Sequence, residues 1–174
     1  PDEQGRGEIA FRGPMIMTGY YQNPKATEAA FDDGFFLTGD VGYIDRDGYL
    51  YLTGRKKSLI VTEGGKNVYP EEIEDRFQLY GEIEQILVRG YIADERQKAE
   101  AIEALIFPRA EHYSPEKPEA WQGFDSEEVR ASLQRIIDEV NSKLLPYQRI
   151  DRFHVLDTPM EMSSTKKIKR FTVD

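Results

Sequence analysis

The chain has 174 residues, 39% hydrophobic and 32% charged, with nine Phe, ten Tyr and no Cys, which suits one or two small domains with an apolar core and excludes disulfides and thiolate metal sites. Mean hydropathy is −0.62, and no run approaches the ~18 apolar residues of a membrane helix, so no transmembrane segment is expected. With 32 acidic against 23 basic residues and a formal net charge of −9, the chain has no general attraction for nucleic acid phosphates.

Residues 1–54 carry Gly, Pro and Asp at short intervals between runs such as Glu8-Ile9-Ala10-Phe11 and Gly48-Tyr49-Leu50-Tyr51-Leu52, the pattern of short strands and turns. The opening Pro-Asp-Glu-Gln-Gly-Arg-Gly lacks the positive start and apolar stretch of a signal peptide. Asp47-Gly48, between Val41–Ile44 and Tyr49–Leu52, predicts a tight hairpin in which the Asp-Gly pair supplies positive backbone angles. The run Asp45-x-Asp47-Gly48 is not a calcium loop, because its glycine arrives two places too early for an EF-hand. Ser58–Val61 predicts a strand that stops at Glu63-Gly64-Gly65.

A helix follows from Pro70, with Glu71, Glu72, Glu74 and Asp75 at its positive end, an apolar stripe of Ile73, Phe77 and Tyr80, and Gly81 as its stop. Ile83–Tyr91 and Ala101–Phe107 read as strands joined by a charged turn. The segment from Pro108 to Gly123 has internal prolines and no periodicity, which predicts an exposed loop anchored by Trp121. Asp125 with Glu128 resembles a capping box, and Val129, Leu133, Ile136, Ile137, Val140 and Leu144 keep helical spacing until Pro146. Ile150–Leu156 predicts a last strand, and a mobile polar tail ends the chain. The expected fold is α+β: a small C-terminal domain with a central few-stranded sheet flanked by helices, preceded by a β-rich piece and joined to it near Arg55-Lys56-Lys57.

Several residues could carry chemistry. Asp40, on a turn after Thr38-Gly39, can accept hydrogen bonds from both hydroxyls of a ribose or from its own backbone, and the residues alone leave both readings open. Arg55 offers a planar fork of donors, or a plain surface charge. Gly64-Gly65-Lys66 fails the Walker pattern, which needs Gly where Ile60 stands and Ser or Thr where Asn67 stands; a Gly-Gly turn that lets backbone pass close to a neighbour is the default. By charge alone the run Lys166-Lys167-Ile168-Lys169-Arg170 is a solvated tail. His112 and His154 have no partner at metal or triad spacing, so neither a metal site nor a catalytic histidine is expected.

Three ordered stretches point further: Gly7-Glu8-Ile9, Gly13-Pro14, Gly19-Tyr20-Tyr21 and Asn23-Pro24 through Thr27 and Phe31; then FLTGDVGYIDRDGYLYLTGRKKSLIVTEGGKNVYPEEIE from Phe36 to Glu74; then Ser163-Ser164-Thr165-Lys166-Lys167-Ile168-Lys169-Arg170. Together they resemble the acyl-adenylate-forming enzymes, a superfamily of acyl-CoA synthetases, luciferases and peptide-synthetase adenylation domains, with wording most like a bacterial long-chain-fatty-acid–CoA ligase. The resemblance implies that residues 1–54 end a large N-terminal domain, that 55–57 are a hinge with Lys57 at its pivot, and that 58–174 are a mobile C-terminal domain. It implies Asp40 and Arg55 as nucleotide ligands, Gly64 and Gly65 as the loop that approaches the pantetheine arm of CoA, and Lys167 as the lysine that aids adenylation. The family usually has glycine before that lysine, where this chain has Lys166, so the register between Lys166 and Lys167 stays open.

ATP, Mg2+, CoA and a fatty acid are the implied substrates and cofactor of the complete enzyme, with nothing tightly bound to this piece. An aryl or amino acid substrate, a carrier-protein acceptor and a non-catalytic interaction module are the alternatives. The Ser/Thr/Gly-rich phosphate loop and the adenine segment lie upstream of these motifs in the family. The implied partner is therefore the chain's own missing N-terminal domain, and the piece alone is expected to be inactive. The implied location is the cytoplasm, with peripheral membrane contact open.

Overall fold

The structure, a computed structural model, describes residues 2, 5–93 and 100–170. It divides into two compact units, residues 1–59 and 60–174. The charged turn expected between the two long strands falls mostly on residues 94–99, outside the described residues.

In the first unit, strands β1 (Gly7–Phe11), β2 (Phe31–Asp32), β3 (Phe35–Ile44) and β4 (Leu50–Arg55) and a short helix α1 (Pro24–Ala29) are built around β3. β3 pairs antiparallel with β1, with β2 near its start and with β4 near its end. Helix α1 begins at the Asn23 cap, whose Oδ1 accepts the Ala26 N–H, with Pro24 in its first turn. Tyr43, Ile44, Tyr49, Leu50, Tyr51 and Leu52 are exposed large apolar side chains on the β3–β4 hairpin.

The β3–β4 hairpin is present, but its turn differs from the expected Asp-Gly pair. Five residues, 45–49, separate the strands, and of the pair only Gly48 has a positive φ, 87°. The reason is Asp45: its Oδ1 accepts the N–H groups of Asp47 and Tyr49 at 3.0 and 2.9 Å, and this Asx-type arrangement shapes a wider turn. Those backbone hydrogen bonds, the Tyr49 bond first, hold the Asp45 carboxyl below its ordinary range.

The second unit is an α+β domain. Its short hairpin joins β5 (Ile60–Val61) to β6 (Asn67–Val68), and α2 (Pro70–Glu74) follows. Its main sheet has the order β7 (Ile83–Ile92), β8 (Glu100–Pro108), β9 (Arg152–Val155), with β8 antiparallel to β7 and parallel to β9. The parallel return needs a crossover, which carries α3 (Ala110–Tyr113) and α4 (Glu127–Ser142). Val129, Leu133, Ile136, Ile137 and Val140 of α4 form one buried core with Ile73, Phe77, Val88, Ile102, Ala104 and Ile106. On the opposite sheet face Leu87 and Leu105 pack with Met160, Leu156 and Ile168. No described helix is long and apolar enough to cross a membrane.

Several sequence expectations need correction here. The strand expected at Ser58–Val61 starts at Ile60, because Lys56–Ser58 form a 3-10 turn. The helix from Pro70 stops at Glu74 and tightens into a 3-10 turn, Asp75–Phe77, well before Gly81. So short an element has little intrinsic helix stability, and burial of Ile73 and Phe77 fixes it instead. The N-cap of α4 is Ser126, whose Oγ accepts the Val129 N–H, while Asp125 pairs with Arg130 at 2.5 Å.

The stretch expected as a plain loop contains α3. There the Tyr113 and Trp121 rings stack at 5.3 Å, Trp121 meets Phe124 at 4.6 Å, and Phe124 stacks on Phe107. Nor do residues 160–170 form a mobile tail. Met160 is buried and its N–H donates to Gln85 Oε1 at 2.6 Å, and Met162 bridges to Ile168 across a turn.

Candidate functional site

The first cluster of predicted residues lies on β3 and β4. Strand register sets Asp40 directly opposite Arg55, and the Arg55 Nε meets Asp40 Oδ1 at 2.7 Å. The turn before Asp40 is fixed from β1: the Thr38 hydroxyl donates to the Ile9 carbonyl at 2.8 Å and accepts the Asp40 N–H at 3.0 Å. Glu8 acts beside it, with Oε1 accepting the Gly39 N–H at 3.2 Å and Oε2 meeting Lys56 Nζ at 2.7 Å. Asp40 is half-buried and Arg55 is 57% exposed at its side chain. An exposed pair of this kind is worth about 0–1 kcal/mol, so a ligand can replace one partner at little cost. A carboxylate beside a guanidinium fork suits a vicinal diol next to an anion.

Lys57 follows in the 3-10 turn Lys56–Ser58, exposed. Gly64 and Gly65 form the tip of the β5–β6 hairpin with φ of 82° and 70°. No atom lies within 4 Å of a β-carbon placed on either, so these glycines serve the left-handed backbone rather than the close approach to a neighbour that the sequence suggested. The turn is closed by Thr62, whose N–H and hydroxyl both donate to the Lys66 carbonyl.

Lys167 sits at the end of an ordered turn. The Ser163 N–H donates to the Lys167 carbonyl at 2.7 Å, and Ser163 Oγ accepts the Lys167 N–H at 3.1 Å. Lys166, one residue earlier, has a φ of 57°, in the left-handed region that favours glycine. Both lysines are exposed. The structure thus joins Asp40 to Arg55 in the first unit, and places Gly64-Gly65 and Lys167 on two separate turns of the second. Among the described residues, no group of three or more His, Cys, Asp or Glu side chains could hold a metal ion.

Sequence reasoning assigned no role at the site to Glu8, Ser163 or Arg170, and to Glu74 only a place at the positive end of its helix. Each stands inside a quoted motif, so the signal was present; the partners of Glu8, Glu74 and Arg170 are distant in sequence, whereas Ser163 bonds Lys167 only four positions on. Arg170 NH2 reaches Glu74 Oε2 at 2.5 Å, 96 positions away. Burial pushes the Glu74 carboxyl up to about 7, against the pull of Arg170 and the Val88 N–H.

Comparison with known proteins defines the class. The chain is 34% identical over 185 residues to the long-chain-fatty-acid–CoA ligase FadD15 of Mycobacterium tuberculosis, covering 96% of this chain and 29% of that protein. It is 48% identical over 84 residues to a 2-succinylbenzoate–CoA ligase of Listeria monocytogenes, covering 48% of this chain and 18% of that one. Among solved structures, o-succinylbenzoate CoA synthetase (MenE) of Bacillus subtilis with its acyl-adenylate OSB-AMP matches with a TM-score of 0.74 at 27% identity, over 97% of this chain and 30% of that chain. No protein-family model matches the chain. The chain belongs to the AMP-binding, adenylate-forming superfamily of acyl- and aryl-CoA ligases, and corresponds to the C-terminal part of its members. It spans under a third of the length of these relatives, 29% of the mycobacterial ligase.

Proposed function

We propose that this chain is the C-terminal part of an ATP-dependent, AMP-forming acid–CoA ligase, in which residues 1–54 end the large domain, 55–57 are the hinge and 58–174 the mobile domain. The observation that carries the reading is the Ser163–Lys167 turn, with left-handed backbone at Lys166. That conformation suits the glycine which usually precedes the family's lysine, and so favours Lys167 as the active residue. In the first half-reaction a carboxylate oxygen attacks the α-phosphate of ATP, pyrophosphate leaves and acyl-adenylate forms, and Lys167 offsets the charge that grows at the α-phosphate. Asp40 accepts from the ribose hydroxyls while Arg55 holds the nucleotide. Mg2+ arrives with ATP and neutralises its phosphates; MenE of Bacillus subtilis has been solved with ATP and magnesium. The small domain then turns about Lys57 and brings the Gly64-Gly65 tip to CoA, whose thiol attacks the acyl carbonyl carbon and displaces AMP to give the thioester.

A fatty acid is the favoured substrate, because the match to the mycobacterial long-chain ligase runs through 96% of the chain. An aryl acid is the second reading, favoured by the higher, 48% identity to succinylbenzoate ligases over a shorter stretch. ATP and CoA supply place the reaction in the cytoplasm. Without the large domain, whose pocket selects the acid, the chain alone is inactive under this proposal.

The test is AMP release by the full-length protein that carries this chain, given palmitate, benzoate or phenylalanine with and without CoA. Palmitate- and CoA-dependent AMP release supports the fatty-acid reading, and a benzoate preference supports the aryl reading. Lys167→Ala slows adenylation by roughly 10²–10³-fold. An adenylation rate untouched by that substitution overturns the assignment.

A further inference from the structure

We propose that Glu74 and Arg170 form a clamp that positions Lys167 for adenylation. The proposal rests on the function above and adds residues that act through the lysine without touching the nucleotide.

Val88 is the anchor. Its side chain is fully buried and it lies on β7, which is an edge of the main sheet among the described residues. A buried edge residue needs partners for its backbone N–H and C=O. Here the N–H donates to Glu74 Oε1 at 2.6 Å, and the carbonyl accepts from Arg170 NH1 at 2.9 Å. Arg170 NH2 closes the ring on Glu74 Oε2 at 2.5 Å, with Glu71 Oε1 at 3.6 Å beside it. Helix α2, strand β7 and the chain end are thereby joined at one point. Side-chain exposure is 29% for Arg170 and 18% for Glu74, so the clamp is partly withdrawn from water, and with Glu74 ionised its bonds are charge-assisted.

Arg170 lies three residues after Lys167, a reach of about 10 Å even when fully extended, and the segment between them is further fixed. The Lys169 N–H donates to the Glu161 carbonyl at 2.8 Å, the Lys169 ammonium meets the Glu161 carboxylate at 2.5 Å, and Met162 bridges to Ile168. The lysine turn therefore stands on a base whose end is set by the clamp. Every member lies within residues 60–174, so the clamp moves with that unit as one piece. The planar fork of Arg170 serves the Val88 carbonyl and the Glu74 carboxylate through two separate nitrogens in fixed geometry; Arg170→Lys keeps the charge and removes that geometry.

The experiment separates the half-reactions in the full-length protein: palmitate-dependent ATP–pyrophosphate exchange for adenylation, with benzoate as the second acid, and CoA-dependent thioester formation from supplied acyl-adenylate. Arg170→Lys and Glu74→Gln should each slow exchange by roughly 10–100-fold, the cost of a misplacement of about 1 Å, and leave the thioester step unchanged. The double variant should lose little more than either single one, because the two side chains act as a unit. Arg170→Ala removes the charge as well and, if it folds, should match or exceed the loss. No exchange by the wild-type protein with either acid overturns the functional reading itself. Exchange by wild type that both conservative variants leave intact, or an equal loss in both half-reactions, overturns the clamp alone.

Discussion

At Lys166 the backbone is left-handed, with φ 57°, a conformation that costs an L-residue roughly 1–2 kcal/mol. Glycine removes that cost and takes back about 0.5–1 kcal/mol through its freer unfolded chain. Lys166→Gly should therefore raise stability by up to about 1 kcal/mol, read as a small upward shift in the thermal midpoint; a downward shift would show that the turn does not require glycine-like backbone. The strain at this residue was not legible in the sequence, where Lys166 stood only as a departure from the family's glycine. The Asp40–Arg55 pairing was equally hidden. Both residues were recognisable as candidates from their motifs, but their opposition depends on strand register, which is set by the turn that the Asp45 side chain shapes and by the register shift between Val41 and Gly42.

Among the elements, β7 and β8 were readable to within one residue at each end, and the apolar stripe of α4 was readable from Val129 to Val140, because a repeated period reports a buried face directly; Leu144, the last residue of the expected stripe, lies beyond the helix end at Ser142. Helix starts were less legible, since Asp125 and Ser126 are both good caps and only geometry chooses between them. Ser126→Ala should cost about 1 kcal/mol in urea denaturation. Asp125→Ala should cost less, because its pair with Arg130 is half-exposed on both sides; the reverse order would return the cap to Asp125. Helix α3 and the Lys167 turn escaped the reading for a shared reason. Neither has a periodicity of its own: α3 is held by Tyr113 stacking on Trp121, eight residues on inside the Pro-rich stretch, and the segment after the Lys167 turn by Arg170 bonding Glu74, 96 positions away.

For the whole molecule, two shielded carboxylates give stability opposite dependences on pH. Glu74 is raised from 4.5 to about 7, first by burial, with Glu71 adding to the rise and Arg170 and the Val88 N–H opposing it. The folded state then binds more protons than the unfolded state between those values, so stability falls as pH rises through the window. The change is on the order of 3 kcal/mol. Glu103 is 3% exposed at its side chain and bonded by Arg89 and Arg152 at 2.7 Å. Burial raises its carboxyl, but those two guanidiniums outweigh the burial and hold it below its ordinary 4.5. Its contribution is thus present above that value and lost on acidification. Urea midpoints measured from about pH 4.5 to pH 7 should decline in the wild-type chain and flatten in Glu74→Gln; an identical decline in both would remove Glu74 as the cause.

The side chains that seat the lysine turn have a second effect at the same strand. An open sheet edge offers its bare donors and acceptors to any passing strand and so serves as a template for aggregation. At Val88 both groups are already taken, the donor by Glu74 and the acceptor by Arg170, and the two partners present charge where an intruding strand would lie. This stretch of the sheet is thereby closed to pairing with neighbouring chains, and under the proposed function it stays closed while the C-terminal unit turns.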